Sequence, residues 1–381
     1  GGVDPVLLKD LADAIDERDT RWLSRTLNRM HPADAADALE ALPYDTFEEA
    51  VELLGEELPS EVLIELRDSY REGAVEMLPD QAVAQALDEL DSDDATTILE
   101  DLEEDRRERI LEDLAPVDRA ELERSLGYDE ETAGRLMQTE FVAVPEFWSV
   151  GETIDHARAL GTDLPEVFYD IYVIDPAHRL LGIVSLASLL RQPRDTALED
   201  IMHDPSMTLS TDDDQEDVAY QFQKYSLASA PVTDHAGRLV GMITVDDMVD
   251  VMQSEHTEDL LALSNVSSAD ASDTVFETVK ARLPWLAINL FTAFIASAII
   301  SVFEGAIEQV VALAILMPVV AALGGNAGSQ GLAVAVRAIA SREMEGAAAR
   351  RSVLREFLAA AINGLLIGAG VGLIAMFWFG D

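Results

Sequence analysis

The residues most able to do chemistry in this sequence are closely spaced acids near residue 250. They are Asp246, Asp247, Asp250, Glu255, Glu258 and Asp259. Asp246, Asp250 and Glu258 recur at intervals of four and eight residues, so a helix would place them on one face. Because like charges at that spacing repel each other, a bridging cation would stabilise the face. Carboxylate oxygens suit hard cations such as Mg²⁺, and the alternative is an ordinary solvated helix face.

Two smaller acidic groups offer the same chemistry. Asp91, Asp93 and Asp94 stand at the start of one predicted helix, and Asp214 and Glu216 stand at the start of another. Each group has two interpretations. Its carboxylates are either cation ligands, or they cap the helix and complement its positive N-terminal end, which requires no metal.

The overall charge also has two interpretations. The chain has 73 acids against 26 bases, a formal net charge of −47. This composition is typical of the solvated surface of halophilic proteins, and it also suits a surface that holds cations. Such a field would repel polyphosphate, so nucleic acid is not expected as a partner. The absence of cysteine excludes disulfides and thiolate zinc sites, and the six scattered histidines do not predict a zinc site.

The elements that must position the acids begin with short helical repeats. Up to about residue 130, segments recur with a Pro or Ser start, acids in the first turn and apolar residues at helical spacing. Pro32–Leu39, Ser92–Leu99 and Pro116–Leu122 are examples. Stacked helices of this kind predict an all-α superhelical domain.

A second repeat occupies residues 137 to 252. Tyr172–Asp175 and His178–Ser185 are matched by Pro231–Asp234 and Gly237–Thr244 at an offset of 59 residues. The pattern predicts strand, turn, strand and helix, twice, with an acid at each tight turn. This region is therefore expected to be α/β.

Three apolar segments follow, at residues 283–303, 310–340 and 357–379. Each is long enough to cross a bilayer, although glycines interrupt the second. The connection between the second and third segments is rich in arginine, whereas the connection between the first and second has no base. The N-terminal part is therefore expected in the cytoplasm and the chain in the cell membrane, as a multi-pass protein.

The second apolar segment also carries polar groups. Asn326 and Gln330 lie four residues apart, and Gly324 and Gly325 precede them. Amides within a membrane span usually face protein or water, and glycines allow close packing or a break that exposes carbonyls. These four residues are candidates for a transport path, with Glu304 at its outer mouth; the alternative is helix–helix contact.

The strand repeat resembles a tandem CBS pair, also called a Bateman module. Hydrophobic strand, Asp turn, Leu-x-Gly-x-x-Ser/Thr strand and acidic helix all occur twice. The resemblance implies a regulatory module that often binds an adenine nucleotide between its halves. Asp175 and Asp234 are weak candidates for holding the ribose, with a turn role as the alternative.

The flanking motifs resemble one transporter family. Residues Tyr128–Glu140 resemble the segment that joins the sensor domain to the CBS pair in the MgtE magnesium-transporter family, and Gly324–Gln330 resembles its GGN-x-G-x-Q membrane motif. The resemblance covers essentially the whole chain. It implies an N domain (1–136), a CBS pair (137–254), a connecting plug helix (255–282) and a transmembrane domain (283–381). It also implies a homodimer, with metal sites near residues 246–259 that link the CBS pair to the connecting helix and to the N domain, where acids near residues 91–94 face the CBS pair.

The resulting prediction is a divalent-cation transporter or channel, most simply for Mg²⁺, gated by intracellular Mg²⁺ that its soluble domains bind. Whether ATP binds the CBS cleft is left open. No enzyme is expected, because no nucleophile–base pair or phosphate loop is visible. The alternative is a membrane-anchored regulatory CBS subunit that senses cation or nucleotide without conducting.

One departure from the family concerns the membrane part. The family has five spans, the last of which supplies a carboxylate to the ion path, and this sequence shows three spans without that carboxylate. The expectation is therefore a fragment, or a pore that a second polypeptide completes.

Overall fold

A computed structural model describes residues 3–161, 164–165, 167–263, 275–309, 311–340 and 347–379. The chain divides into two compact units, residues 1–253 and 254–381. We describe each unit by itself.

The first unit begins with a helical repeat. Its helices are α1 (Pro5–Asp16), α2 (Thr20–Leu27), α3 (Pro32–Glu40), α4 (Tyr44–Leu54), α5 (Ser60–Ile64), α6 (Asp68–Met77), α7 (Asp80–Glu89), α8 (Ser92–Glu100), α9 (Glu104–Asp113) and α10 (Pro116–Ser125). Pro5, Pro32 and Pro116 occupy first-turn positions, where a missing N–H costs no hydrogen bond. The predicted all-α superhelical architecture is confirmed.

Apolar side chains and a few ion pairs hold the helices together. Phe47 and Ile98 are among the fully buried side chains of one continuous core. Arg71 pairs with Asp101 at 2.7 Å, and both side chains are almost completely shielded from solvent. Because this pair joins residues 30 positions apart, it fixes α6 against the end of α8.

The same unit continues with the strand repeat, after a short helix α11 (Ala133–Leu136). The first copy contains β1 (Ala143–Pro145), α12 (Val150–Leu160), β2 (Asp170–Ile174), β3 (Leu180–Ser185) and α13 (Leu186–Arg191). The second copy contains β4 (Leu209–Ser210), α14 (Gln215–Tyr225), β5 (Ser229–Thr233), β6 (Leu239–Thr244) and α15 (Val245–Leu263). In each three-stranded sheet the first strand is parallel to the second, and the third is antiparallel to it. The predicted duplication is confirmed.

The two copies exchange short segments. Gln138, before the first sheet, pairs with Met242 of β6, and His203, before the second sheet, pairs with Ile183 of β3. Tyr172 and Met242 belong to a small core shared by both copies. Because each leading segment crosses to the other copy, the two copies pack as one body.

In its described residues, the second unit contains three long apolar helices and one short helix. They are α16 (Val275–Ser301), α17 (Glu304–Gln309), α18 (Val311–Ala340) and α19 (Ala347–Phe379). Arg282–Ser301, Ala314–Ala338 and Arg350–Trp378 are long and apolar enough to cross a membrane. The third candidate span lies on α19 and begins at Arg350, before the predicted start at residue 357. Arg350, Arg351 and Arg355 therefore belong to this helix.

The glycine cluster does not break α18. The helix is continuous through Gly324 and Gly331, and a Cβ built on Gly324, Gly325, Gly328 or Gly331 would meet nothing within 4 Å. Of the two roles expected for these glycines, an exposed break is therefore wrong for this structure. The described part of the chain supplies no close neighbour for them either.

Candidate cation site between the helical and strand repeats

Three carboxylates face each other where the helical repeat meets the strand repeat. Asp93 and Asp94 lie in the first turn of α8, and Asp247 lies in the first turn of α15. Burial raises the pKa of Asp93 well above its usual value, and the Asp247 and Asp94 charges raise it further. Burial and then the Asp247 charge raise the pKa of Asp94 to about 7. Close carboxylates disfavour simultaneous ionisation, so this contact repels itself when all three are charged.

Asp247 is fixed by the strand that precedes it. Its Oδ2 accepts hydrogen bonds from the Thr244 hydroxyl at 2.8 Å and the Thr244 N–H at 3.3 Å. Burial nevertheless raises the pKa of Asp247 to about 6, with a contribution from Asp246. The Asp247 carboxylate is therefore held in one position, and its ionised form is disfavoured there.

A second pair of acids extends the contact. Burial, and then the Asp250 charge, raise the pKa of Glu65 at the end of α5, while nearby His31 lowers it and Asp37 raises it. Neither Glu65 nor Asp37 was predicted from the sequence. They belong to other helices of the repeat, and no local pattern shows which helical turns face α15.

No described Lys, Arg or His forms an ion pair with the facing carboxylates of Asp93, Asp94 and Asp247. Equally, no three His, Asp or Glu side chains in the described ranges form a group that could hold a metal ion as placed. Mg²⁺ keeps several water ligands in proteins, so a hydrated ion bridging one or two carboxylates fits this arrangement better than a full chelate.

The other acids predicted on α15 have different surroundings. Asp246 is exposed and adds to the charge at Asp94 and Asp247. Glu255 and Glu258 lie further along the same helix, and the side chain of Asp259 lies outside the described residues. The cation role of all three remains a prediction.

The two smaller acidic groups differ in helix capping. Asp214 is the N-cap of α14, where its Oδ1 accepts the Glu216 N–H at 2.9 Å. Asp91 occupies the N-cap position of α8 but makes no side-chain capping hydrogen bond. Capping therefore accounts for Asp214, whereas the charge of Asp91 raises the pKa values of Asp93 and Asp94.

The two weak nucleotide candidates are held by their own turns. Asp175 accepts the backbone N–H groups of Ala177 at 2.7 Å and Arg179 at 2.9 Å. Asp234 accepts those of Ala236 at 2.8 Å and Arg238 at 2.9 Å. The turn role considered from the sequence thus explains the placement of both carboxylates.

The segment from Tyr128 to Glu140 forms the joint between the repeats. Arg135 pairs with Glu100 of α8 and also donates to the carbonyl of Leu126 at 2.9 Å. A Cβ on Gly134 would lie 2.7 Å from the Tyr128 ring and 2.9 Å from the Thr211 carbonyl oxygen. A glycine is therefore needed where the joint crosses the second strand copy.

The membrane helices hold amides and few acids. Asn326 and Gln330 are exposed on α18, and Glu304 begins α17. Two further amides within the candidate spans were not predicted from the sequence, Asn289 on α16 and Asn363 on α19, and both are exposed. Each is a single amide within an apolar segment. Such a residue usually faces protein or a water-filled path, so this pattern could have marked them as candidates.

Models of known families match three parts of the chain. The MgtE intracellular N domain matches residues 30–131, the CBS domain matches residues 198–254, and a divalent cation transporter domain matches residues 317–381. The matches follow the order expected from the sequence.

Solved structures resemble the first unit. The cytosolic domain of the Mg²⁺ channel MgtE in complex with ATP is 35% identical, with a TM-score of 0.59 over 64% of this chain and 99% of that one. The soluble part of a magnesium transporter is 26% identical, with a TM-score of 0.58 over 65% of this chain and 98% of that one.

Curated magnesium transporters named MgtE are similar over longer stretches. The protein of Enterococcus faecalis is 32% identical over 68% of this chain, which spans 57% of that relative's length. The protein of Bacillus subtilis is 28% identical over 98% of this chain and 80% of its own length. The protein of Thermus thermophilus is 34% identical over 95% of this chain and 81% of its own length. With this relative and the ordered domain matches together, the chain belongs to the MgtE family of magnesium transporters.

Proposed function

We propose that this protein transports Mg²⁺ across the membrane and that intracellular Mg²⁺ closes the path by binding at the contact between α8 and α15. The observation that carries the proposal is the trio Asp93, Asp94 and Asp247, whose burial and mutual repulsion raise their pKa values. A divalent cation removes that repulsion. The state in which α8 faces α15, here called the docked state, is then favoured.

The response depends on differential affinity. Mg²⁺ shifts the docking equilibrium only because it binds the docked state, with acids on both sides, more tightly than the separated state. Helix α15 carries Asp247 and runs across the boundary between the two units at residue 253. It is therefore the element best placed to transmit docking to the membrane helices.

High salt decides which electrostatic effect matters. If the acidic surface is an adaptation to high salt, the Debye length falls to about 3 Å at 1 M. Long-range repulsion is then screened, whereas cation bridging at contact distance persists. The proposal therefore rests on the contact and not on the net charge.

Docking can be measured as a distance in the full-length protein in nanodiscs. The chain has no cysteine, so spin labels on Glu112→Cys (α9) and Gln223→Cys (α14) report only the engineered positions. The expected result is a short distance in millimolar Mg²⁺ and a longer, broader one in EDTA. Asp247→Asn removes the trio's charge on the α15 side, so it should dock to a larger fraction than the wild type in EDTA and respond less to Mg²⁺, whereas the matched control Asp195→Asn, at an exposed position, should titrate like the wild type. A label-to-label distance that is the same in Mg²⁺ and in EDTA would refute the gating proposal.

Transport itself needs a separate assay. Mg²⁺ entry into proteoliposomes, followed with a trapped fluorescent indicator, should fall as Mg²⁺ is raised on the side of the soluble domains. The same assay with Co²⁺, Ni²⁺ and Mn²⁺ would establish the selectivity. A protein that docks in Mg²⁺ yet passes no ion would favour the alternative of a non-conducting regulatory subunit.

The assembly is proposed to be a homodimer. Leu190 on α13 and Val249 on α15 are equivalent positions, 59 residues apart, and both are largely exposed. An apolar residue repeated on the last helix of each strand copy suits burial against a second copy. Leu190→Asp should halve the mass measured by light scattering, and Leu190→Met should leave it unchanged. An unchanged mass with the aspartate would contradict this interface.

A nucleotide is the second proposed ligand, because a relative's cytosolic domain was solved with ATP. Since Asp175 and Asp234 are engaged by their own turns, other groups between the two strand copies would hold it. Calorimetric titration of ATP should therefore give the same affinity for the wild type and for Asp234→Asn. No heat of binding in either protein would exclude this ligand.

A further inference from the structure

A hydrogen-bond network outside the acidic trio fastens the start of α8. Glu140 Oε2 accepts the Ser92 N–H at 3.2 Å and the Ser92 hydroxyl at 2.9 Å. Ser92 Oγ in turn accepts the Thr139 N–H at 2.8 Å, and the Thr139 hydroxyl lies 3.0 Å from it. Ser92 is buried, so these groups have little access to water as an alternative partner. Glu140 thus caps a helix that begins 48 residues before it.

This cap replaces the one that the local sequence offers. Asp91 stands at the N-cap position of α8 and makes no side-chain capping bond. The first N–H groups of a helix need acceptors, and a carboxylate at this end is favoured by the helix dipole. The acceptor comes instead from the joint, so the start of α8 is tied to a different part of the chain.

Residues 138–140, which include Glu140, also hold the opposite side of the acidic contact. Gln138 exchanges two backbone hydrogen bonds with Met242, each 2.9 Å long. Met242 lies in β6, which leads through Thr244 to Asp247. Residues 138–140 therefore connect β6, which positions Asp247, with Ser92, which directly precedes Asp93.

The network needs no cation. Its donors are amides and hydroxyls, which satisfy the Glu140 carboxylate directly. The acids that contribute most to the raised pKa of Asp94 are Asp247 and Asp91, and Glu140 is not among the leading contributors. Removing Glu140 should therefore cost hydrogen bonds without relieving the main repulsion.

We propose that Glu140 is a positioning residue for the cation response: in the docked state it holds Asp93 and Asp94 opposite Asp247 through Ser92. The inference rests on the proposed Mg²⁺ gating and deepens it. If the cation binds only the docked protein, its apparent affinity falls with the docked fraction. Losing hydrogen bonds to a half-buried carboxylate should lower that fraction about tenfold.

The test uses the labelled full-length protein in nanodiscs and the Mg²⁺ concentration at half-docking. Glu140→Ala should raise this midpoint about tenfold while reaching the wild-type distance at saturation. Glu140→Gln, which keeps an oxygen acceptor for the Ser92 N–H, should restore most of the difference. Ser92→Ala should raise the midpoint by several-fold, and the double variant should be less than additive because both changes remove the same bonds. The matched control Glu199→Gln, at an exposed position, should titrate like the wild type.

Two outcomes separate this inference from the gating proposal. If Glu140→Ala titrates within twofold of the wild type while Asp247→Asn does not, Glu140 has no positioning role and gating stands. If neither variant shifts the midpoint, both are wrong. Should Glu140→Ala fail to fold, as judged by circular dichroism, Ser92→Ala alone decides in the same way. A merely structural role would lower thermal stability in all Mg²⁺ concentrations and leave the midpoint unchanged.

Discussion

The contact between α8 and α15 and the membrane helices use different oxygens. At the contact, half-buried carboxylates face each other and their pKa values are raised. In the middle of the candidate spans the side-chain oxygens belong to hydroxyls and to the amides Asn289 on α16, Asn326 and Gln330 on α18 and Asn363 on α19. A carboxylate gives strong, charge-dependent binding, whereas an uncharged amide costs less in a membrane and releases an ion more readily. The difference suggests that one region holds the cation and the other passes it.

The largest effect is expected when the charge is removed from both sides of the contact. In Asp93→Asn/Asp247→Asn, the shape of the side chains is kept while two of the three repelling charges are lost. The protein should then dock without Mg²⁺, and the label distance should stay short in EDTA. A double variant that still opens in EDTA would show that these carboxylates do not oppose docking.

The complementary change is made in the membrane. Asn326→Leu should reduce Mg²⁺ flux at least tenfold, because an apolar side chain offers the ion no oxygen. Asn363→Leu should reduce it less, since this residue lies away from the Asn326–Gln330 pair in sequence. Both variants should keep the wild-type Mg²⁺ midpoint for docking. A shifted midpoint with normal flux would reverse the assignment of the two regions.

Protons should act on the contact and not on the amides. The folded pKa values of Asp94, about 7, and Asp247, about 6, lie above their ordinary value of 3.8. A raised carboxyl pKa favours the docked state at low pH, and this contribution is lost as pH rises through 6 to 7. In EDTA, the docked fraction should therefore grow severalfold between pH 8 and pH 5.5. A docked fraction that changes only below pH 5 would mean that these pKa values are ordinary.

The smallest expected effect concerns acids outside both regions. Asp234→Ala removes a carboxylate that accepts two turn N–H groups and pairs with Arg238 at 2.9 Å. Because the site is exposed, the loss should lower the free energy of unfolding by about 1 kcal/mol. Denaturant unfolding measures it. The Mg²⁺ midpoint should not move, and a shift would extend the cation contact to this turn.

Local patterns predicted the elements well. The 59-residue repeat fixed both strand copies, and helical spacing placed Asp247 and Asp250 on the same helix. The partners across the contact were harder, because Asp37 and Glu65 come from distant helices and only tertiary packing brings them near α15. The capping of α8 by Glu140 was equally hidden, since Asp91 offered a sufficient local cap. Asn289 and Asn363 carried a readable signal, a single amide in an apolar run, but each lacks the second amide four residues away that marked Asn326 and Gln330.

Mg²⁺ bound at the facing carboxylates should displace their protons and neutralise their mutual repulsion. Calorimetric titration of the full-length protein with Mg²⁺, repeated in buffers of different ionisation enthalpy, measures both binding and proton release. We expect millimolar-range binding that releases protons at pH 6.5 and almost none at pH 8.5, and Asp93→Asn/Asp247→Asn should abolish the release. Mg²⁺ binding without proton release at pH 6.5, or no binding at all, would contradict the account.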